Sequence, residues 1–193
     1  MSSLNDKLTL ANNNVSKTYM AGKSGKDITN WSYYFYFNTR LDMIDYINTC
    51  NGTNFTNMFR ACSNLTTIPA LDMSNGTNFS SMFYSCSNLT TIPALDTSNG
   101  IIFTNMFRDC SNLTTINFTG AINDIDISFK VCSKLTLETL QAIVNALKVT
   151  TKTTKPVLTL NSASWAILDA ATPPDGYASW KEYITNYKNW LYA

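Results

Sequence analysis

Three segments of the chain align without a gap, and that repetition constrains the fold more than any other feature. They read NFTNMFRACSNLTTIPALDMSN from Asn54 to Asn75, NFSSMFYSCSNLTTIPALDTSN from Asn78 to Asn99, and IFTNMFRDCSNLTTINF from Ile102 onwards. The Met-Phe pair falls at Met58-Phe59, Met82-Phe83 and Met106-Phe107, and the cysteines at Cys62, Cys86 and Cys110. The leucines fall at Leu65, Leu89 and Leu113, so each step is 24 residues. Self-similarity at a fixed short period is the mark of stacked units, each burying a face that it cannot bury alone.

The period extends backwards in degraded form. Trp31, Tyr34, Phe35, Leu41, Ile44 and Ile47 precede Phe55, Met58, Phe59, Leu65, Ile68 and Leu71 by the same 24 residues. Forwards, Phe129, Cys132 and Leu135 follow Phe107, Cys110 and Leu113 after 22 residues. That makes five coils with atypical outer ones, as a capped array needs. Within a coil, LTTIPAL reads as a strand whose Pro69 or Pro93 lacks the ladder N–H. DMSNG and DTSNG read as turns. NFTNMFRAC reads as a short helical stretch, because Phe55, Met58 and Phe59 fall at i, i+3 and i+4. The expected architecture is therefore α/β: a leucine-rich-repeat-like solenoid with parallel strands, five coils of about 24 residues and a small α/β C-terminal cap.

Composition agrees with a folded array and removes several functions. With 45% hydrophobic residues in 193, a core can be buried; with 14% charged residues and a net charge of +1, there is no general pull on nucleic acid. There is no histidine, which excludes Ser-His-Asp and Cys-His catalysis and removes the commonest metal ligand. Met1 to Asn14 lacks the apolar run of a secretory signal, and no stretch approaches a transmembrane helix.

The pattern N-F-x-x-M-F-x-x-C-S-N-L-T-T-I-x-x-L-D-x-S-N resembles the BspA-like leucine-rich-repeat family over about residues 30 to 135. The resemblance implies a curved β/helical solenoid of the kind displayed on bacterial surface adhesins and on some phage and prophage tail proteins. Beyond it, Leu135 to Leu147 reads as an amphipathic helix capped by Thr136, and residues 156–160 as a strand. A second helix runs to Leu168, a third spans Tyr177 to Tyr187, and residues 190–193 end the chain as a strand. This ending is similar to the cap of repeat proteins encoded in phage tail modules. The chain thus divides into an N-terminal segment, 1–29, for attachment or oligomerisation, the solenoid at 30–135, and the cap at 136–193.

Each candidate site has a bland counterpart. Cys62, Cys86, Cys110 and Cys132 lack metal-site spacing and read as reduced core residues in preference to disulfides. Cys50 replaces Ser74 and Ser98 in a turn. Asn64-Leu-Thr, Asn88-Leu-Thr and Asn112-Leu-Thr match glycosylation sequons, but Asn and Ser also satisfy turn backbone, and that reading is preferred. Asp72 and Asp96 read as turn formers before a carboxylate pair, and Asp124 with Asp126 as a solvated strand face before a weak cation site. The C-terminal aromatics, from Trp165 to Tyr192, read as closing the open core before stacking on sugars.

Positions that vary between otherwise identical coils mark surface free of packing constraint. Tyr36, Arg60, Tyr84 and Arg108 follow the invariant Phe and form one expected exposed column, either a cation–π ladder or a binding stripe. Ile101 and Ile102 replace Thr77 and Asn78, an apolar break that reads as a subunit contact. No catalytic residue, cofactor or metal is expected. The leading expectation is a non-enzymatic tail-region protein of a phage virion, contributing to attachment to a host surface receptor, protein or glycan. Its further partners are other virion proteins and further copies of itself, with no nucleic acid and no membrane insertion. The alternative is a BspA-like adhesin or interaction module on a bacterial surface; a polysaccharide-degrading enzyme ranks third.

Overall fold

A computed structural model describes residues 17–19 and 28–193. Most of the segment 1–29 lies outside the described residues. The described residues form a mixed α/β arrangement of short parallel sheets and three helices. In chain order come β1 (Lys17–Tyr19), β2 (Met43–Tyr46), β3 (Thr91–Leu95), β4 (Thr115–Phe118) and β5 (Ile127–Ser128). They are followed by α1 (Leu137–Ala146), β6 (Val157–Thr159), α2 (Ser162–Asp169), α3 (Trp180–Glu182) and β7 (Leu191–Tyr192). The sheets are β1-β2, β3-β4 and β5-β6-β7, and every pair is parallel. Isolated parallel bridges link Asn30, Asn54, Asn78 and Ile102 in succession. Because β1 pairs with β2 through Lys17 and Met43, parallel pairing reaches upstream of residue 30.

Strands were expected near Leu65–Ala70, Leu89–Ala94 and Leu113–Phe118. The last two correspond to β3 and β4, with Thr91 opposite Thr115 and Ile92 opposite Ile116. The first is reduced to a single bridge, Thr67 to Thr91. Proline explains the difference. Pro69 and Pro93 both lack a ladder donor, so the facing segments hold only one bridge. Asn117 stands where the third repeat would carry proline, and its amide Nδ2 donates to Pro93 O at 3.0 Å.

The expected helix over NFTNMFRAC is not a helix. It is a run of tight turns whose N–H groups alternate in direction. Met58, Arg60 and Cys62 donate to Phe55, Asn57 and Phe59 within the segment, at 3.1, 3.2 and 3.0 Å. Phe55, Asn57, Phe59 and Ala61 donate instead to Asn78, Ser80, Met82 and Tyr84 of the next repeat, at 2.7–2.9 Å. Asn57 and Ala61 hold positive φ, 55° and 62°, as the third position of a type II turn requires. An α-helix spends its N–H groups internally. These turns spend every second one on the neighbouring repeat, so the turns join the stack as a sheet would.

The side chains behind the turns form columns. Phe55, Phe79 and Phe103 stack at 5.6 and 5.8 Å between ring centroids. Phe35, Phe59, Phe83, Phe107 and Phe129 stack at 5.3, 5.6, 6.0 and 4.9 Å. Met58, Met82, Cys62, Cys86, Leu65 and Leu89 are buried beside them. A methyl at Gly76 would overlap the Phe79 ring, and one at Gly100 the Phe103 ring, so each ring closes down on a bare backbone.

The C-terminal segment continues the parallel pairing. Thr136 caps α1, accepting from Thr139 N, and the helix buries Leu140, Ile143 and Val144. Asn161 caps α2 through Ser164 N at 2.9 Å. The third expected helix starts three residues later than Tyr177 and passes from α3 into a π-helical turn, Tyr183–Tyr187. Ile127 pairs with Leu158, and Leu158 with Tyr192, so β7 forms the last edge.

Candidate functional site

The column of variable residues is continuous. Arg60 lies between two tyrosine rings, its guanidinium 5.9 Å from the Tyr36 centroid and 4.5 Å from that of Tyr84. Arg108 lies on the other side of Tyr84 at 5.3 Å. Tyr36, Arg60 and Tyr84 are half-buried and Arg108 is exposed, because the side chains lie along the surface on one another. Stacking uses the faces of the guanidinium and leaves its in-plane N–H groups for other partners. Arg60 Nη1 donates to Asn57 Oδ1 at 3.3 Å, and among the described residues no carboxylate pairs with it. Arg108 Nε lies 4.0 Å from Asp109 Oδ2, an exposed and weak pair.

The column extends beyond the four residues from Tyr36 to Arg108. The 22-residue step from Phe107 to Phe129 also carries Arg108 onto Lys130, and the two cations line one depression with Asn105, Ser128 and Val131. At the opposite end stand Tyr33 and Phe37, 54% and 62% exposed. Tyr33 packs edge-on against Tyr36 at 5.4 Å, and Tyr36 meets Phe37 at 5.3 Å. Both hold positive φ, 60° and 61°. The equivalent positions carry Asn57, Ser81 and Asn105, and Ala61, Ser85 and Asp109. A left-handed backbone costs an L-residue about 1–2 kcal/mol, and Asn or Asp bears it best. The first repeat therefore places large rings where small residues serve elsewhere, and it leaves them in water. The contracted step itself was the signal for Lys130; no periodicity distinguishes Tyr33 and Phe37.

Ile101 and Ile102 are 60% and 38% exposed and do not join the column. They border a separate cleft of 430 Å³ with Phe103, Asp124, Asp126, Lys152 and Pro156. Asp124 is held by Lys148 and Lys152 at 3.9 and 3.7 Å, and it accepts from Thr150 Oγ1 at 3.2 Å. Asp126 accepts from Val157 N at 2.8 Å. Asp124 thus lies between two lysines of this chain, with its Oδ1 lacking a hydrogen-bond partner among the described residues, and Asp126 is tied to backbone.

The remaining candidates resolve to structural roles. Asp72 and Asp96 accept from the backbone N–H and hydroxyl of Ser74 and Ser98. Asn64 and Asn112 spend Nδ2, the atom a glycan would modify, on Thr39 O and Ser87 O at 2.6 and 2.8 Å. Cys62, Cys86, Cys110 and Cys132 are buried and unbridged. Burial pushes the Cys62 and Cys132 thiols up to about 12, and those of Cys86 and Cys110 well above the ordinary value. Cys50 is half-buried.

The C-terminal aromatics divide. Trp180 and Trp190 are buried, and Trp190 Nε1 donates to Lys148 O at 2.8 Å. Tyr183 and Tyr187 stack at 5.1 Å, with Lys188 5.7 and 5.8 Å from their centroids. Lys188 Nζ donates to Asn145 O and Leu147 O at 2.8 and 2.7 Å, the free carbonyls at the end of α1. Desolvation lowers the pKa of this ammonium.

Parallel pairing at a fixed repeat, stacked phenylalanines and a cation–aromatic column along the outer surface are the features of a repeat protein. The chain belongs to the family described as Mycoplasma protein of unknown function, DUF285, whose model matches residues 4–135 and which is related to the BspA-like repeat proteins. No curated protein and no solved structure matches the chain.

Proposed function

We propose that the chain is a non-enzymatic surface-recognition protein: a leucine-rich-repeat-like solenoid of five coils whose outer stripe meets a partner, carried in the tail region of a phage virion and contributing to host attachment. The observation that carries the recognition reading is the stripe itself. Arg60 and Arg108 are held in place by the Tyr36 and Tyr84 rings, so little rotamer freedom is lost when a partner binds. Tyr and Arg are also the residues that most often dominate binding energy. The virion placement rests on the likeness of the C-terminal segment to caps of tail-module repeat proteins. The exposed Ile101–Ile102 pair supports self-association, and the partners are a surface receptor and neighbouring virion proteins.

A second reading, a BspA-like adhesin on a bacterial surface, is favoured by the family's description as a Mycoplasma protein. Antibody labelling of particles released by lysis, beside labelling of intact cells of the source strain, separates the two. Label on tails and none on cells is the expected result. The recognition reading is tested by changing Arg60→Ala together with Tyr84→Ala, expected to lower binding to host cells without unfolding the protein. Unchanged binding by a folded variant moves the site off the stripe.

A further inference from the structure

The two ends of the stripe differ in chemistry. One end is aromatic: Tyr33 and Phe37 are exposed, and the half-buried Tyr36 ring packs against both. The other end is cationic: Arg108 and Lys130 border one depression, lined also by the Asn105 and Ser128 side chains. Between them Arg60 lies on two rings with no carboxylate partner among the described residues. We propose that this face binds a linear acidic polysaccharide, sugar rings stacking on Tyr33, Tyr36 and Phe37 and carboxylates meeting Arg60, Arg108 and Lys130. The proposal rests on the surface-recognition reading above and names the ligand of that stripe.

Three observations select this ligand. First, Tyr33 and Phe37 keep left-handed backbones where other repeats use smaller residues, so their rings serve something outside the fold. Flat rings flanked by amides and hydroxyls suit the apolar faces and hydroxyl edges of a sugar. Second, the cations are sparse. Arg60 and Arg108 stand two rungs apart, roughly 10 Å at the usual strand spacing. That is the length of a disaccharide, and Lys130, one rung beyond Arg108, stands one sugar further, so the stripe suits a carboxylate on every sugar or every second sugar. In a duplex each strand presents a phosphate about every 3.4 Å of helix axis, a density that this stripe does not match. Third, guanidiniums with free in-plane donors suit the two oxygens of a carboxylate. Asp109, beside Arg108, and the Asn57 amide on Arg60 are the competing groups, and both are short-range and local.

The test uses the full chain and defined probes: octamers of hyaluronan, alginate and polygalacturonate, with cello-oligosaccharide, inorganic polyphosphate and oligothymidylate as controls. Calorimetry is expected to show binding to at least one acidic octamer and a loss of at least tenfold when its carboxylates are reduced to alcohols. Arg108→Gln and Lys130→Gln are each expected to weaken binding about tenfold and to steepen neither unfolding curve. Tyr33→Ser with Phe37→Ser, copying Ser81 and Ser85, is expected to abolish binding while raising thermal stability. No binding to any acidic octamer overturns the proposal. So does equal binding of polyphosphate or oligothymidylate that ignores the Tyr33 and Phe37 changes, which marks a bare charge patch. If host cells bind through the stripe but no octamer competes, this ligand assignment fails and the recognition reading stands. If the cells do not bind the chain at all, the recognition reading itself falls.

Discussion

The Cys86 thiol donates to the carbonyl oxygen of Phe59 at 3.0 Å, inside a core closed to water. The same oxygen accepts the Cys62 N–H at 3.0 Å, so both of its lone pairs are used. Cys62 and Cys110 repeat the contact on Phe35 O and Phe83 O at 3.0 Å. The cysteines are therefore a ladder of reduced donors that saturate turn carbonyls, one per repeat.

Thiol labelling checks that ladder directly. In the folded protein a disulfide-exchange reagent is expected to modify Cys50 alone, with the other four cysteines reacting only as the chain unfolds. Rapid native labelling of all five contradicts the burial of the ladder.

Alkaline pH is expected to unfold the protein through the same thiols. Folded, Cys62 and Cys132 titrate near 12 against an ordinary 9.0. Between those values the unfolded chain has lost protons that the native state keeps, so stability is complete below 9 and falls as pH rises towards 12. Each thiol removes about 1.4 kcal/mol per pH unit in that window. Lys188 acts in the opposite sense, since its folded pKa lies below its ordinary one, but it is one group against four thiols. Urea midpoints at pH 8 and pH 10 measure the effect; equal midpoints refute it.

Phe83→Ala is expected to cost about 3–5 kcal/mol, the usual range for a fully buried aromatic. Its ring lies between Phe59 and Phe107, and both contacts go at once. Gly76→Ala is expected to cost about 1–3 kcal/mol by overpacking against the Phe79 ring. Thermal unfolding of each variant decides, and a Gly76→Ala protein as stable as the parent shows that the ring can move aside.

Lys188→Met keeps length and apolar contact but removes both hydrogen bonds to the end of α1. Leaving Asn145 O and Leu147 O without that donor is expected to cost about 1–3 kcal/mol. Hydrogen exchange across residues 143–150 should quicken while exchange in the Phe59–Phe83 region stays unchanged. Uniform quickening along the chain contradicts a local role.

The buried set was legible because a 24-residue period names it: Met58, Phe59, Cys62 and Leu65 recur unchanged in the three gap-free repeats and all are buried. The conformation carrying them was not. Phe, Met and Phe at i, i+3 and i+4 suit a helix, but successive tight turns, Phe55–Met58 and Phe59–Cys62, bury Phe55, Met58, Phe59 and Cys62 just as well. Asn57 and Asn105 hint at left-handed backbone, whereas Ala61 does not. The missing rungs near Leu65–Ala70 follow from Pro69 and Pro93, whose meaning depends on a partner strand that a single sequence does not show. Within the site, the column from Tyr36 to Arg108 was readable from the period alone, and Lys130 only once the contracted step was taken as one more rung.

The phenylalanine columns have a bearing on how such a chain changes length. Phe59 meets Phe35 on one side and Phe83 on the other through nearly the same parallel contact, 3° and 5° between planes. A unit copied in frame after Gly76 or Gly100 would meet on each side a surface identical to the one its parent met. Duplication therefore creates no new kind of interface, and each copy adds one more term to a nearest-neighbour sum. The array behaves as a ruler graduated in repeats, on which gene duplication sets the reach of the outer face without redesigning the interior.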